Sequence, residues 1–163
     1  MRLFVGLPLD ESLKDRLGSL QHRYLSIPGI RVEPSAKLHL TLLYIGEVND
    51  EAPYIDALKT IKLPNFAVKV DRVGMFKNTQ TVYYAGVADN EALASLAKAV
   101  SAAVRRVNPE LKYRFVPHVT LARGKRQVPF TFDGPPVDSV LDKFILYESK
   151  EGQYIPKAEF PLI

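Results

Sequence analysis

His39-Leu40-Thr41-Leu42 and His118-Val119-Thr120-Leu121 are two tetrads of one pattern, in a chain with only three histidines and six threonines among its 163 residues. Successive side chains of an extended strand alternate between its faces. Each His therefore shares a side with the Thr two positions on, while Leu40, Leu42, Val119 and Leu121 share the other. Each tetrad reads as a strand with an apolar back and a polar front.

Upstream of the first tetrad, residues 2–7 read as a short buried strand. Leu13, Leu17, Leu20 and Tyr24 then recur at helical spacing behind Asp10, a residue type that caps helix starts. His22 falls on the opposite face, toward solvent. Pro28-Gly29 and Pro34-Ser35 punctuate the connection to a strand over 38–45 that carries the first tetrad. Asn49 and Asp50 open a short helix through Ile55, Leu58 and Ile61, which Pro64 ends, and Phe66, Val68 and Val70 alternate as the next strand. Val73 and Met75 fall on the other parity, which predicts a bulge or turn at Asp71-Arg72. Residues 81–87 form a further strand, followed by an alanine-rich helix with Leu93, Leu96, Val100 and Val104 inward, stopped at Asn108-Pro109. Beyond the second tetrad come a strand-like stretch over 130–133, the loop Gly134-Pro135-Pro136, a strand over 140–147 and an edge strand over 159–163.

The second half can be laid over the first. Gly6-Leu7, Asp10, Glu11 and Leu13 match Gly86-Val87, Asn90, Glu91 and Leu93 at an offset of 80, and the tetrads lie 79 apart. Agreement in two independent places argues for duplication of a strand-helix-strand unit. The expectation is a single domain over residues 1–163 with pseudo-symmetric halves at about 1–80 and 81–163. The halves would pack as lobes about an approximate two-fold axis, with both His-x-Thr fronts toward one central cleft.

Composition narrows the chemistry. With no cysteine, disulfides, thiolate nucleophiles and cysteine-based metal sites are excluded. No apolar run serves as a secretory signal or membrane span, so a cytoplasmic location without membrane association is expected. The formal charge of +4 favours an anionic partner. Two imidazoles facing one site can divide a reaction, one taking a proton from a nucleophile while the other gives a proton to a leaving group. Threonine hydroxyls beside them suit the non-bridging oxygens of a phosphodiester, whose charge shifts as phosphorus becomes five-coordinate. Proton transfer of this kind needs no metal, and the sequence offers no obvious further ligands, so neither metal nor cofactor is expected. Two other readings of the same residues are histidines that merely order a sheet and a two-histidine metal site.

The paired tetrads, the opening Arg2-Leu3-Phe4-Val5-Gly6-Leu7 and the stretch Phe115-Val116-Pro117-His118-Val119-Thr120-Leu121-Ala122-Arg123 together resemble the RNA 2′,3′-cyclic phosphodiesterases. These are also called 2′-5′ RNA ligases, of the two-histidine phosphoesterase superfamily with its HxTx motifs. The resemblance spans essentially the full length. It implies a bilobal α+β domain, with two antiparallel sheets lining the cleft and helices outside. It also implies metal-independent hydrolysis of an RNA 2′,3′-cyclic phosphate end to a 2′-phosphomonoester. By resemblance, His39 is the proton donor to the leaving 3′ oxygen, His118 the acceptor that activates water, and Thr41 and Thr120 hold phosphate oxygens. Arg123 matches the family's arginine after the second tetrad and could hold phosphate bidentately. Strand parity would turn Arg123 away from the polar front unless the strand ends or bulges there, and its counterpart at the same offset is Tyr44. Tyr83, Tyr84, Phe76 and Phe115 are candidates for stacking on a base. The expected partner is RNA with a 2′,3′-cyclic phosphate end, bound by a monomer. Other uses of such a cleft are 2′-5′ ligation, hydrolysis of another cyclic phosphate, and a non-catalytic RNA-binding accessory.

Overall fold

Asp10 and Asn90 begin the two longest helices in the same way. Each sits in extended backbone, and its side-chain oxygen accepts the backbone N–H three residues on, from Leu13 at 2.8 Å and from Leu93 at 2.9 Å. In the computed structural model, which describes residues 1–163, helix α1 spans Glu11–Gln21 and helix α3 spans Glu91–Val107. Leu13, Leu17 and Leu20 are buried on α1, as are Leu93, Leu96, Val100 and Val104 on α3, in keeping with their helical spacing. A single 3-10 turn, His22–Tyr24, extends α1, with Tyr24 buried and His22 exposed. The two caps also tie their helices to strands. Ser139 donates its hydroxyl to the second Asp10 oxygen at 2.9 Å, and the Asn90 amide donates to the Ala67 carbonyl at 2.7 Å.

The strands are β1 (Arg2–Pro8), β2 (Ile30–Val32), β3 (His39–Glu47), β4 (Phe66–Lys77), β5 (Thr81–Val87), β6 (His118–Gly124), β7 (Val137–Leu141), β8 (Lys143–Lys150) and β9 (Gln153–Pro161), with a short helix α2 at Ala52–Leu58. Every pairing is antiparallel, in the order β7-β4-β5-β6-β3-β1-β8-β9, and β2 adds to β6. The class is therefore α+β. Instead of two separate sheets, the strands join in one nine-stranded sheet whose two sides meet at a single ladder position, Leu40 opposite Val119. The reason is local: β3 and β6 pair only at their tetrads, and β2 takes over the edge of β6 from Ala122 to Gly124.

The two sides do not follow the order of the chain. β4 stands beside β5, whereas β8 and β9 stand beside β1. The helices cross as well, α1 lying against β6 and β7 and α3 against β3 and β4. The apolar backs Leu40, Leu42, Val119 and Leu121 thus enter one continuous core with the helix leucines.

Several local expectations need correction. Residues 130–133 are not a strand. Phe130 instead packs edge-on to Tyr24 at 4.7 Å, and Arg16 and Arg23, the latter in the 3-10 turn that extends α1, hold the Asp133 carbonyl, the Thr131 carbonyl and the Asp133 carboxylate. The strand expected over 140–147 is two, broken at Asp142, and β2 forms where a plain connection was expected. The bulge expected at Asp71-Arg72 is present as a register shift between Val70 and Arg72 against β5. Because Asn90 both caps α3 and anchors it to β4, Asn90→Ala is expected to cost about 1–2 kcal/mol, a fall in Tm of roughly 2–6 °C by calorimetry, without moving the tetrads.

Candidate active site

Each tetrad histidine is fixed through Nδ1 by a carbonyl two residues before it. His39 Nδ1 lies 2.7 Å from the Lys37 oxygen and His118 Nδ1 lies 2.6 Å from the Val116 oxygen. A carbonyl only accepts, so both Nδ1 atoms carry a proton and both Nε2 atoms are left to exchange one. His39 Nε2 is 2.8 Å from the hydroxyl of its own Thr41. Gly6, opposite Thr41 on β1, leaves room for this ring: a β-carbon there would sit 3.2 Å from His39 Cδ2 and 3.3 Å from the Leu40 oxygen.

A one-residue bulge falls at the last residue of each tetrad. On β3, Thr41 faces Gly6 and Leu43 faces Val5, so Leu42 is the extra residue. On β6, Thr120 faces Tyr84 and Ala122 faces Tyr83, so Leu121 is extra. Leu42-Leu43 and Leu121-Ala122 are buried doublets, after which parity is reversed. Tyr44 and Arg123 therefore return to the polar front, which resolves the parity conflict over Arg123. A cleft of about 200 Å³ is lined by His39, Thr41, His118, Thr120 and Arg123, all five of the residues expected there, together with Tyr44.

The second bulge is held from beneath. The buried Gln21 amide, at the end of α1, donates both to the Leu121 carbonyl at 3.0 Å and to the Glu33 carbonyl at 2.8 Å, while the Glu33 N–H donates to the Leu121 carbonyl at 2.9 Å. The Glu33 carboxylate in turn accepts from Arg123 Nε at 3.3 Å.

Aromatic rings back both imidazoles. Phe4 and Tyr154 lie 5.0 and 5.2 Å from His39 between ring centres, and Phe76 and Tyr84 lie 5.1 and 5.7 Å from His118. Burial among them lowers the pKa of each histidine, against the raising effect of the carbonyl on Nδ1. For His39 the Glu33 carboxylate raises it and the His118 and Lys37 charges lower it, whereas for His118 the Arg123 charge lowers it further. Nowhere do three or more His, Asp or Glu side chains gather as they would around a metal ion.

A family model described as LigT-like phosphoesterase matches residues 7–84, a span that contains the first tetrad and ends before the second. An RNA 2′,3′-cyclic phosphodiesterase of Thermus thermophilus is 33% identical over 143 residues, which cover 79% of this chain and 71% of that protein. The chain belongs to the LigT-like phosphoesterases. Among solved structures, TT0787 of Thermus thermophilus superimposes with a TM-score of 0.84 at 29% identity, covering 99% of this chain and 98% of the other. LigT of E. coli complexed with phosphate does so with a TM-score of 0.81 at 25% identity, covering 99% and 96%.

In this LigT-like chain the cleft also contains Phe4, Glu33, Lys37 and Tyr154, none of which the tetrads point to. Lys37 Nζ lies over the Tyr154 ring at 4.5 Å. Phe4 and Tyr84 each set a ring beside a tetrad histidine from the neighbouring strand, but at different register, Tyr84 opposite Thr120 and Phe4 opposite Tyr44. Of the aromatic candidates for base stacking, Tyr83 is buried against Tyr24, which removes it, and Tyr84 and Phe76 are stacked on each other beside His118.

Gln21→Leu removes the side-chain donor to the part-buried Glu33 carbonyl and leaves the buried Leu121 carbonyl with the Glu33 N–H alone. It is expected to destabilise the fold by about 2 kcal/mol in urea titrations, and Gln21→Glu is expected to lose less at acidic pH, where the protonated side chain again donates, than at neutral pH.

Proposed function

We propose that this chain hydrolyses the 2′,3′-cyclic phosphate at an RNA end to a 2′-phosphomonoester, by acid-base catalysis between His39 and His118 and without a metal. The observation that carries this reading is the twin presentation of Nε2 atoms, each Nδ1 tied to a carbonyl, in one cleft with two threonine hydroxyls and an arginine. The RNA 2′,3′-cyclic phosphodiesterase among its relatives and the phosphate complex of LigT support the choice of a phosphate ester as substrate.

The neutral Nε2 of His118 takes a proton from water as its oxygen attacks phosphorus, and the protonated Nε2 of His39 delivers one to the 3′ oxygen as that bond breaks. The donor and acceptor assignment rests on family resemblance. The Thr41 hydroxyl beside His39 Nε2 can donate to the neutral ring, and once that ring is protonated it is free to donate to a phosphate oxygen. Thr41, Thr120 and Arg123 hold the non-bridging oxygens as their charge grows. Attack opposite the leaving oxygen requires the two rings on opposite sides of phosphorus.

We read the two tetrads as the same position in two copies of one unit, residues 1–80 and 81–163. The matched caps Asp10 and Asn90, bulges Leu42 and Leu121, and front residues Tyr44 and Arg123 support it, as does the symmetric order β5-β6-β3-β1 about the tetrad strands.

His39→Ala and His118→Ala are each expected to lower kcat/KM on an RNA 2′,3′-cyclic phosphate end by ~10²–10⁴-fold with the circular dichroism spectrum unchanged. Near-wild-type turnover in either variant would refute the scheme, as would a rate abolished by chelator. The kcat/KM profile of the free enzyme should be bell-shaped. Both histidine pKa values lie below 6.5, so the maximum falls on the acid side of pH 6.5 and activity declines as both rings lose their protons toward pH 8.

A further inference from the structure

The histidine cleft, at about 200 Å³, is below the ~300–1,000 Å³ typical of pockets that enclose a whole small ligand, and it has room for a cyclic phosphate and little more. Past Thr41, Tyr44 and His118 it opens into a second groove of about 650 Å³, between β3, the end of β4 and the segment leading into β6. Three rings lie along this groove: Tyr44, more than half exposed at 56%, Phe76 and Phe115. Its charged lining residues are Lys77 and Arg114, both exposed and both cationic, and no carboxylate lines it.

We infer that this groove is the binding site for the RNA strand that leads to the cyclic end, a reading that rests on the function proposed above. In a 2′,3′-cyclic phosphate both ribose oxygens are already bonded to the reacting phosphorus, so the chain continues only through its 5′ oxygen. Whatever nucleotides enter the groove therefore lie on the 5′ side of the reacting end. Aromatic faces with interspersed cations are the combination that holds single-stranded RNA, by stacking on bases and neutralising the phosphates between them. Phe115 and the exposed face of Tyr44 supply the stacking surface here, and Lys77 and Arg114 meet the phosphate that links the terminal nucleotide to the one before it. The groove thus makes the enzyme selective for a strand end over a free cyclic mononucleotide.

The test compares adenosine 2′,3′-cyclic phosphate with a trinucleotide ending in the same group, for the wild-type chain, Lys77→Ala/Arg114→Ala and Phe115→Ala. The wild type should show a KM lower by about tenfold or more for the trinucleotide. Lys77→Ala/Arg114→Ala should bring the two KM values within about threefold of one another while its kcat/KM on the mononucleotide stays within about twofold of wild type, and Phe115→Ala should raise the trinucleotide KM by a larger factor than the mononucleotide KM. The charge-removing double variant should also lose the salt dependence of the trinucleotide KM. Equal KM values in the wild type would overturn the inference while leaving the hydrolase reading intact, as would variants that slow both substrates in step. Turnover of neither substrate by the wild type would overturn the hydrolase reading, and this one with it.

Discussion

One ladder position, Leu40 opposite Val119, sets the geometry on which everything at the cleft depends. These are the residues between His and Thr in each tetrad. Because the strands run antiparallel, pairing them brings His39 toward Thr120 and Thr41 toward His118, with all four side chains on one face and both aliphatic chains on the other. A slip of one residue would put a histidine into the core and a leucine into the cleft. Burial of Leu40 and Val119, both fully inaccessible, makes such a slip costly. The polar arrangement is in this sense enforced from its apolar side.

Fixing the rings has an electrostatic counterpart. The carbonyls of Lys37 and Val116 select the tautomer, and the aromatic surroundings favour the uncharged ring, so the two effects act in opposite directions on basicity and in the same direction on orientation. An anionic phosphate entering between them would favour the charged form of either ring, so that substrate restores the proton that burial has loosened. Arg123 adds positive charge at the same face, moderated by its contact with Glu33.

Much of this was legible in the chain. The helix cap at Asp10, the strands around the tetrads and the bulge at Asp71-Arg72 follow from local patterns of one or two turns or a few alternating residues. The bulges at the ends of the tetrads also leave a trace, since Leu42-Leu43 and Leu121-Ala122 interrupt alternation with an apolar doublet, and this is what brings Arg123 to the front. What was not legible depends on partners distant in sequence. Residues 130–133 look like a strand in isolation but are held by arginines of α1 and its 3-10 extension, and β2 is three residues long and exists because the edge of β6 is open there. Glu33, Lys37 and Tyr154 reach the cleft from a connection and an edge strand, where no periodicity marks them.

The crossing of strands and helices described above bears on how such a molecule can come together. β3, with His39, is covered by α3 from beyond the middle of the chain, and β6, with His118, is covered by α1 from near its start. β1 is flanked on its far side by β8, and β5 by β4. Neither the first 80 residues nor the remainder holds both a tetrad and the helix that shields its back, so neither is a self-sufficient folding unit. The two histidines do not meet through the docking of preformed lobes. They come into register only through contacts distant in sequence, each of which carries a loop-closure cost.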